Sequence, residues 1–451
     1  MTLTAVRPWF RLDRHDVRGT IPAAIRAMMQ NGLLDRVFQE ALKPEFIFPA
    51  IADNEPWQGG LGDTKIMTRK GLLTPSTTPI TGSDTSPATY GIEQWSVTMD
   101  QYGLAVDTNM LTSKMALASK FLADVQTLGI NAGQSLNQIA RNKLYAAYSG
   151  GRTWVTTAGS SDTSMVVNSV AGFTHVMVNG VLTAVSAAAP LAVTIEGTPN
   201  TVTGVNTATS TLTLGTARAD TAGDYVVAAN APTTIRPTGD TAYDLTTSNI
   251  ATFAMFRAAV TRLRKMNVPT VNGYYNGYYI AHIDPDTEAE LFSDPDFKQA
   301  LQGRVDSPIY TDLSIGRFGG LDWVRNNECP TVLGGSGGAV PVHRPIVLGA
   351  GALISAPFDG MADLLGESGV GDVPDIAMVD IAPTVQVARI VRPPQDAPTV
   401  RVARIVRPPQ DRLQQIISTS WSWVGDFGIP SDALANSDPA LYKRAVVLEH
   451  A

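Results

Sequence analysis

Charge is scarce in this sequence and cysteine nearly absent. Charged residues are 17% of 451, with 34 basic against 41 acidic and a formal net charge of −7. That balance argues against a protein whose main work is gripping nucleic acid, because such affinity comes from neutralising phosphates. A locally basic face remains compatible with it. Cys329 stands alone, which excludes an intrachain disulfide and fits folding in a reducing cytoplasm. No window approaches the ~20 uninterrupted apolar residues of a membrane-spanning helix. Arg7, Arg11, Asp13 and Arg14 precede any apolar run, an order unlike that of a secretory signal.

Catalytic patterns are missing too. His15, His175, His282, His343 and His450 are scattered and form no His-Glu-x-x-His pair. No Gly-x-Ser-x-Gly nucleophile turn occurs. The glycine-rich residues 334–338 lack the Gly-Lys-Ser/Thr ending of a phosphate loop and read as a surface loop. The acids of Asp284, Asp286, Glu288 and Glu290 invite a metal hypothesis. Asp-Pro-acid is also how a helix starts, with Asp as cap, Pro in the first turn and acids at the positive end of the dipole. The pattern recurs at residues 294–296, and no EF-hand glycine or closing glutamate is in place. Capping is the expectation, with no catalytic, cofactor-binding or metal residue and no enzyme.

What the chain does have is a long amphipathic run. In residues 109–151 the apolar positions Leu111, Met115, Ala118, Leu122, Val125, Leu128, Ala132, Leu136, Ile139, Leu144 and Tyr148 keep to one helical face. Thr108 or Asn109 is the expected cap, and Gly150-Gly151 the stop. Gly129 and Gly133 predict a kink or a close approach by another backbone. A helix this long suggests a spine crossing a flat subunit.

The rest arranges itself around that spine. Residues 1–45 read as an extended arm bearing Trp9 and Phe10, then a helix from about residue 21 to 42. Residues 46–102 read as a two-stranded arm, with strands at 65–70 and 94–99 joined by a polar tip too long for a tight turn. An isolated hairpin is marginal in water, so the arm needs something outside its own core. Met67, Arg69, Lys70, Leu72 and Leu73, with Trp9 and Phe10, are the candidate subunit-interface residues. Residues 103–152 and 241–275 carry the spine and a second helix at 248–265. Between them, residues 153–240 change character: Thr, Val, Ala, Gly and Ser dominate, and short apolar runs alternate with turn signals such as Asn179-Gly180. That spacing predicts an all-β lobe inserted into a larger domain. Residues 276–430 read as a mixed α/β lobe, and 431–451 as a C-terminal segment. Within the mixed lobe, residues 382–396 and 397–411 are a tandem duplication differing only at Gln386 and Arg401. An odd shift of fifteen turns each side chain to the opposite face of a continuing strand, so one copy should hold a strand while the other loops out or pairs at an edge.

The order of these pieces resembles the major capsid proteins of tailed bacteriophages, with the Hong Kong 97-type fold shared by encapsulins. The passages that carry the resemblance are LGDTKIMTRKGLLTPSTTPITG (61–82), YGIEQWSVTMDQYGLAVDTN (90–109), YYIAHIDPDTEAELFSDPDFKQA (278–300), IGRFGGLDWVRNNECP (315–330) and IVLGAGALISAP (346–357). The resemblance implies an α+β fold with an N-arm, an extended β-arm lying over a neighbouring subunit, a spine-helix peripheral domain and an axial domain. The inserted lobe and the duplication depart from the plainest form of that pattern. The implied function is self-assembly into hexamers and pentamers of an icosahedral shell around double-stranded DNA. The implied partners are a separate scaffolding protein, a portal, a decoration protein as a further candidate, and packaged DNA held by weak non-specific contact, with no membrane. The implied location is the virion capsid, assembled in the host cytoplasm. An encapsulin-like compartment shell, or a phage tail or surface adhesin, is the alternative.

Overall fold

The apolar stripe of the spine forms a helix of 29 residues, Lys120–Tyr148, about 43 Å long. The computed structural model describes residues 33–42, 47–57, 62–70, 73, 75–77, 82, 87–109, 120–271, 277–302, 316–358, 375–381, 400–407, 412–413, 415–430 and 443–451. A shorter helix, Leu33–Leu42 (α1), lies across the spine (α2) and buries Leu34, Phe38 and Leu42. Gly129 permits the crossing: a Cβ there would stand 2.7 Å from the Phe38 carbonyl oxygen. The first residues of the expected N-terminal helix, with Trp9 and Phe10, lie outside the described residues. Asn109, one of the two expected caps, ends a strand, because residues 100–109 find a long partner in the sheet under the helix; residues 110–119, where the cap would meet the helical run, lie outside the described residues.

That sheet is built on a 13-residue strand, Ile416–Gly428 (β23). Asp100–Asn109 (β4) pairs antiparallel along one edge, from Asp100↔Gly425 to Asn109↔Ile416. The other edge is shared by Val400–Arg407 (β22) and Ile354–Pro357 (β20). Asp375–Ile381 (β21) continues beyond β22, and Asp53–Asn54 (β1) beyond β20. The second duplicate copy therefore supplies a strand, β22, and the first lies outside the described residues. Strand pairing also crosses the domain boundary expected at residue 276, since strands of 354–428 complete the sheet that β4 begins.

A second sheet runs in the order Thr234–Ile235 (β13), Ala445–Leu448 (β24), Ile346–Leu348 (β19), Tyr279–Ile283 (β14), Leu321–Arg325 (β16), Arg317–Phe318 (β15). It has apolar partners on both faces. Ile346, Leu348, Ala445 and Val447 join the α2 core, while Val347, Val446, Leu448, Tyr279, Ala281 and Ile283 face the helices Phe253–Lys265 (α3), Pro285–Leu291 (α4) and Pro295–Gln302 (α5). Such double burial explains why its strands read as near-continuous apolar runs. Polar ties fix the spine to its surroundings. Asn137 Oδ1 accepts the Phe48 amide at 2.8 Å, Trp421 Nε1 donates to Asn131 at 3.1 Å, and Tyr148 donates to the Ala352 carbonyl at 3.1 Å.

Within residues 152–228, six strands form a sheet of their own. Its order is Arg152–Trp154 (β5), Tyr225–Ala228 (β12), Leu191–Ile195 (β9), Thr198–Asn206 (β10), Thr211–Asp220 (β11), Gly159–Val166 (β6), around a separate cluster that includes Val155, Phe173, Leu191, Val202 and Val226. Its boundaries interlock with the rest: Trp154 packs on Ala242, Leu245 and Val342, and β13 belongs to the second sheet. Thr331–Gly334 (β17) and Val340–His343 (β18) make a small hairpin. Taken together the fold is mixed α+β, mostly sheet with few helices among the described residues.

Candidate assembly interface

The arm is a hairpin of Thr64–Lys70 (β2) and Ile92–Thr98 (β3), paired from Thr64↔Thr98 to Lys70↔Ile92. Strand alternation gives it two unlike faces. Inward point Met67, Glu93, Trp95 and Val97; Met67, Trp95 and Val97 pack with Trp57, Ile354 and Ala356. Gly428 lets the arm settle close, since a Cβ there would meet Val97 at 2.7 Å. Arg69 is on this inner face, half-buried, its guanidinium 5.7 Å from the Trp95 ring centroid. Lys65 also turns inward and reaches the Glu55 carbonyl at 3.3 Å.

The outer face is left to solvent. Ile66 is 66% exposed and Ile92 44%, flanking the polar Thr68 and Gln94. A second hairpin extends the face: His175–Val178 (β7) and Val181–Ala184 (β8), from the β-rich lobe, join the arm through parallel pairing of β8 with β3. The Gln94 amide donates to the Gly180 carbonyl at 3.1 Å. Asn179 and Gly180 take φ of +51° and +79°, the left-handed pair a two-residue hairpin turn demands. Gly180 has a second reason to lack a side chain, because a Cβ would come within 2.2 Å of the Ile92 carbonyl oxygen. Val178 and Val181, 39% and 55% exposed, add two apolar side chains to this face beside Gln94.

The expected interface residues thus divide. Met67 is 4% exposed and serves the chain's own core. Arg69 is half-covered by Trp95. Lys70 and Leu73 are exposed, as are the other described residues of the tip, 75–77, 82 and 87–91. Trp9, Phe10 and Leu72 lie outside the described residues. Ile66, Ile92, Val178 and Val181 were missed by the sequence reading. Alternation along β2 puts Ile66 and Met67 on opposite faces, but only the packing of Met67 on Trp57 and Ile354 decides which one faces out.

The carboxylates of 284–296 lie elsewhere, at the starts of α4 and α5. Asp294 accepts the Asp296 amide at 3.0 Å in α5 and the Phe253 amide at 2.7 Å at the start of α3, so one carboxylate caps two helices. Asp284 precedes α4, and its carbonyl accepts the Glu288 amide at 3.0 Å. Its carboxylate takes the Thr287 hydroxyl and lies 2.6 Å from His343 Nδ1. Asp284, Asp286 and His343 are close enough to hold a cation. The His343 ring nitrogens lie 2.6 Å from Asp284 and 3.8 Å from Asp286. His450 stacks on His343 at 5.4 Å and reaches Glu290 at 2.8 Å. Beside it, burial would raise the Glu449 carboxyl, but Arg236 at 2.6 Å and Arg344 at 2.8 Å hold it below its ordinary value. The network fastens residues 449–451 to the helix layer.

Two further buried side chains bear on reactivity. Burial pushes the His282 imidazole down to about 3, and it stacks on Phe48 at 4.8 Å. Burial likewise drives the Cys329 thiol up to about 12. Both are neutral near pH 7, so the thiol is not a thiolate nucleophile and the imidazole is not a poised acid.

No family model matches the sequence, and no curated protein does. Among solved structures, the fold is similar to the capsid of Ralstonia phage GP4, at 11% identity and a TM-score of 0.48 over 89% of this chain and 87% of that one. It is also similar to the Cyanophage Pam1 capsid, at 12% identity and 0.46 over 92% of each chain. The capsid of Cyanophage P-SCSP1u matches at 11% and 0.45, over 90% of this chain and 88% of that one.

Proposed function

We propose that this chain is the structural subunit of an icosahedral shell of the Hong Kong 97 type, enclosing double-stranded DNA, and that it is not an enzyme. The observation that carries the reading is the arm. Its inner face is anchored in the chain's own core, and its outer face presents Ile66, Ile92, Val178 and Val181 to solvent with a polar tip beyond. Four large apolar side chains exposed on one sheet face, beside a polar tip, suit a surface that binds something. In this reading the occupant is a neighbouring copy, in hexamers and pentamers closed by symmetry. The order of sequence passages that resemble tailed-phage capsid proteins supports the same reading. The negative net charge suits a container that holds its DNA by weak contact. A separate scaffolding protein, a portal and a decoration protein are the further partners, and assembly takes place in the host cytoplasm.

The test is negative-stain microscopy of the chain produced with its genomic neighbours, followed by nuclease treatment and assay of protected DNA. Closed shells with protected DNA are expected. Shells containing protein cargo in place of DNA would move the reading to an encapsulin-like compartment. A stable monomer under all conditions would overturn it.

A further inference from the structure

The duplicated segment is not explained by a shell role, and the structure gives it a specific address. β22, residues 400–407, sits between β21 and β23. Val402, Arg404 and Val406 point to the helices: the two valines lie in the α2 core, and Arg404, 1% exposed, reaches Asp35 of α1 at 2.7 Å. Ala403 and Ile405 fill the other face against Phe358 and Val424. Every one of these side chains has an identical counterpart fifteen residues earlier: Val387, Arg389, Val391, Ala388 and Ile390. The strand position therefore has two sequences able to satisfy it, with the same buried valines and the same arginine for Asp35. The one difference, Gln386 against Arg401, falls opposite Asp380 in the register.

Chain connection allows either occupant. With the second copy in place, β21 and β22 are joined by eighteen residues, 382–399, and β22 and β23 by eight, 408–415. With the first copy, the joins would be three residues, 382–384, and twenty-three, 393–415. Three residues is a common hairpin length. Each arrangement has one short join and one long one, and closure entropy changes only slowly with length. Arrangements that differ little in closure cost are the kind that small perturbations can exchange.

We propose that residues 385–392 and 400–407 of the same chain are alternative occupants of the β22 position. Exchange moves fifteen residues of slack from one end of the strand to the other without changing the core. It is a length switch within the sheet, and it stands whether or not the shell reading does. Opposite charges at directly paired sheet positions favour the copy carrying Arg401 over the copy carrying Gln386.

Proline substitutions in the full-length chain test it. A proline inside a central strand removes a ladder hydrogen bond. Ala403→Pro and Ala388→Pro should each leave a cooperatively folded chain melting close to the parent, since the other copy fills the position, and the double variant should lose cooperative melting. Unfolding by Ala403→Pro alone, with Ala388→Pro harmless, would overturn the proposal. Trapping reads the exchange in otherwise native chain. Ala403 is the register partner of Ser422. Ala403→Cys with Ser422→Cys should form an intrachain disulfide rapidly on oxidation, and Ala388→Cys with Ser422→Cys more slowly. Adding Asp380→Ala to the second pair should raise its initial rate roughly 1.4- to 5-fold. No crosslink from Ala388→Cys, or a crosslink only between chains, would rule out exchange within the chain.

Discussion

His282 illustrates how burial turns a residue into a pH sensor of stability. It is 1% exposed, and burial holds the folded imidazole at about 3 against an ordinary 6.5. The unfolded chain therefore binds a proton that the folded chain refuses. Its contribution is fully present above about pH 6.5 and is lost progressively as the pH falls toward 3. We expect the unassembled chain to lose up to ~1.4 kcal/mol per pH unit from this group below pH 6. Urea midpoints from pH 7.5 to 5 would show it, and His282→Gln should flatten the slope. An unchanged slope in that variant would assign the effect to other groups. Gly129 makes a prediction of opposite kind. Gly→Ala in a helix ordinarily gains about 0.5–1 kcal/mol. Here the new methyl would lie 2.7 Å from the Phe38 carbonyl oxygen and 3.0 Å from the Ala41 methyl, both on a packed helix. Overpacking of that kind costs about 1–3 kcal/mol, so the clash should win and Gly129→Ala should lower the melting temperature. At this scale the sequence was legible where chemistry is local. Asp294 was expected as a cap from Asp-Pro-Asp, and the close approach at Gly129 was one of two readings of a helical glycine. The orientation of Met67 and Arg69 was not legible, because it depends on Trp57 and residues 354–356, far away in sequence.

Elements were easier to foresee than their partners. The strands of the arm, the β-rich run after the spine and the turn at Asn179-Gly180 all follow from alternation and turn residues. Nothing local in residues 175–184 says that their hairpin will pair with β3, and nothing local in 416–428 says that one strand will serve β4, β22 and β20. Those pairings are long-range choices. They bear on what the lobe contributes. The lobe leaves and rejoins the body where Val155 exchanges backbone hydrogen bonds with Gly223 and Asp224, at 2.8 and 2.9 Å. Replacing residues 156–222 with a short Gly/Ser turn should therefore keep Trp154 and β13 in place and yield soluble, cooperatively folded protein. The cost should appear in the arm, which loses β7 and β8 as neighbours. Hydrogen exchange at the Gln94 amide should accelerate, because its acceptor, the Gly180 carbonyl, is gone. Unchanged protection there would mean that the lobe does not brace the arm. Global unfolding would mean that its cluster is not separable from the main core.

At the scale of the whole molecule, the outer face of the arm is the feature an isolated chain leaves unused. Ile66→Asp together with Ile92→Asp alters two exposed positions and none of the anchoring residues Met67, Trp95 and Val97. Surface substitutions of this type change stability by about 0.5 kcal/mol or less. The double variant should match the parent in circular dichroism and melting, yet form few or no closed shells by sedimentation and microscopy. Normal shell yield would remove this face from the assembly contacts. These positions test it better than Arg69, whose stacking on Trp95 would confuse a charge reversal with a local packing defect.

The place of β24 has a consequence for how the chain is made. Residues 445–448 are the last described strand to leave the ribosome, yet they lie between β13 and β19 in the second sheet. β19, the strand beside which β24 settles, is complete roughly 100 residues earlier, so at about 5–20 residues per second its open edge waits for roughly five to twenty seconds. During that interval the nascent chain offers a surface a chaperone can hold. A polypeptide interrupted before residue 445 cannot seat β13 or neutralise Arg236 and Arg344 with Glu449. Synthesis order thus acts as a proofreading step: only a chain translated through that strand can close the sheet.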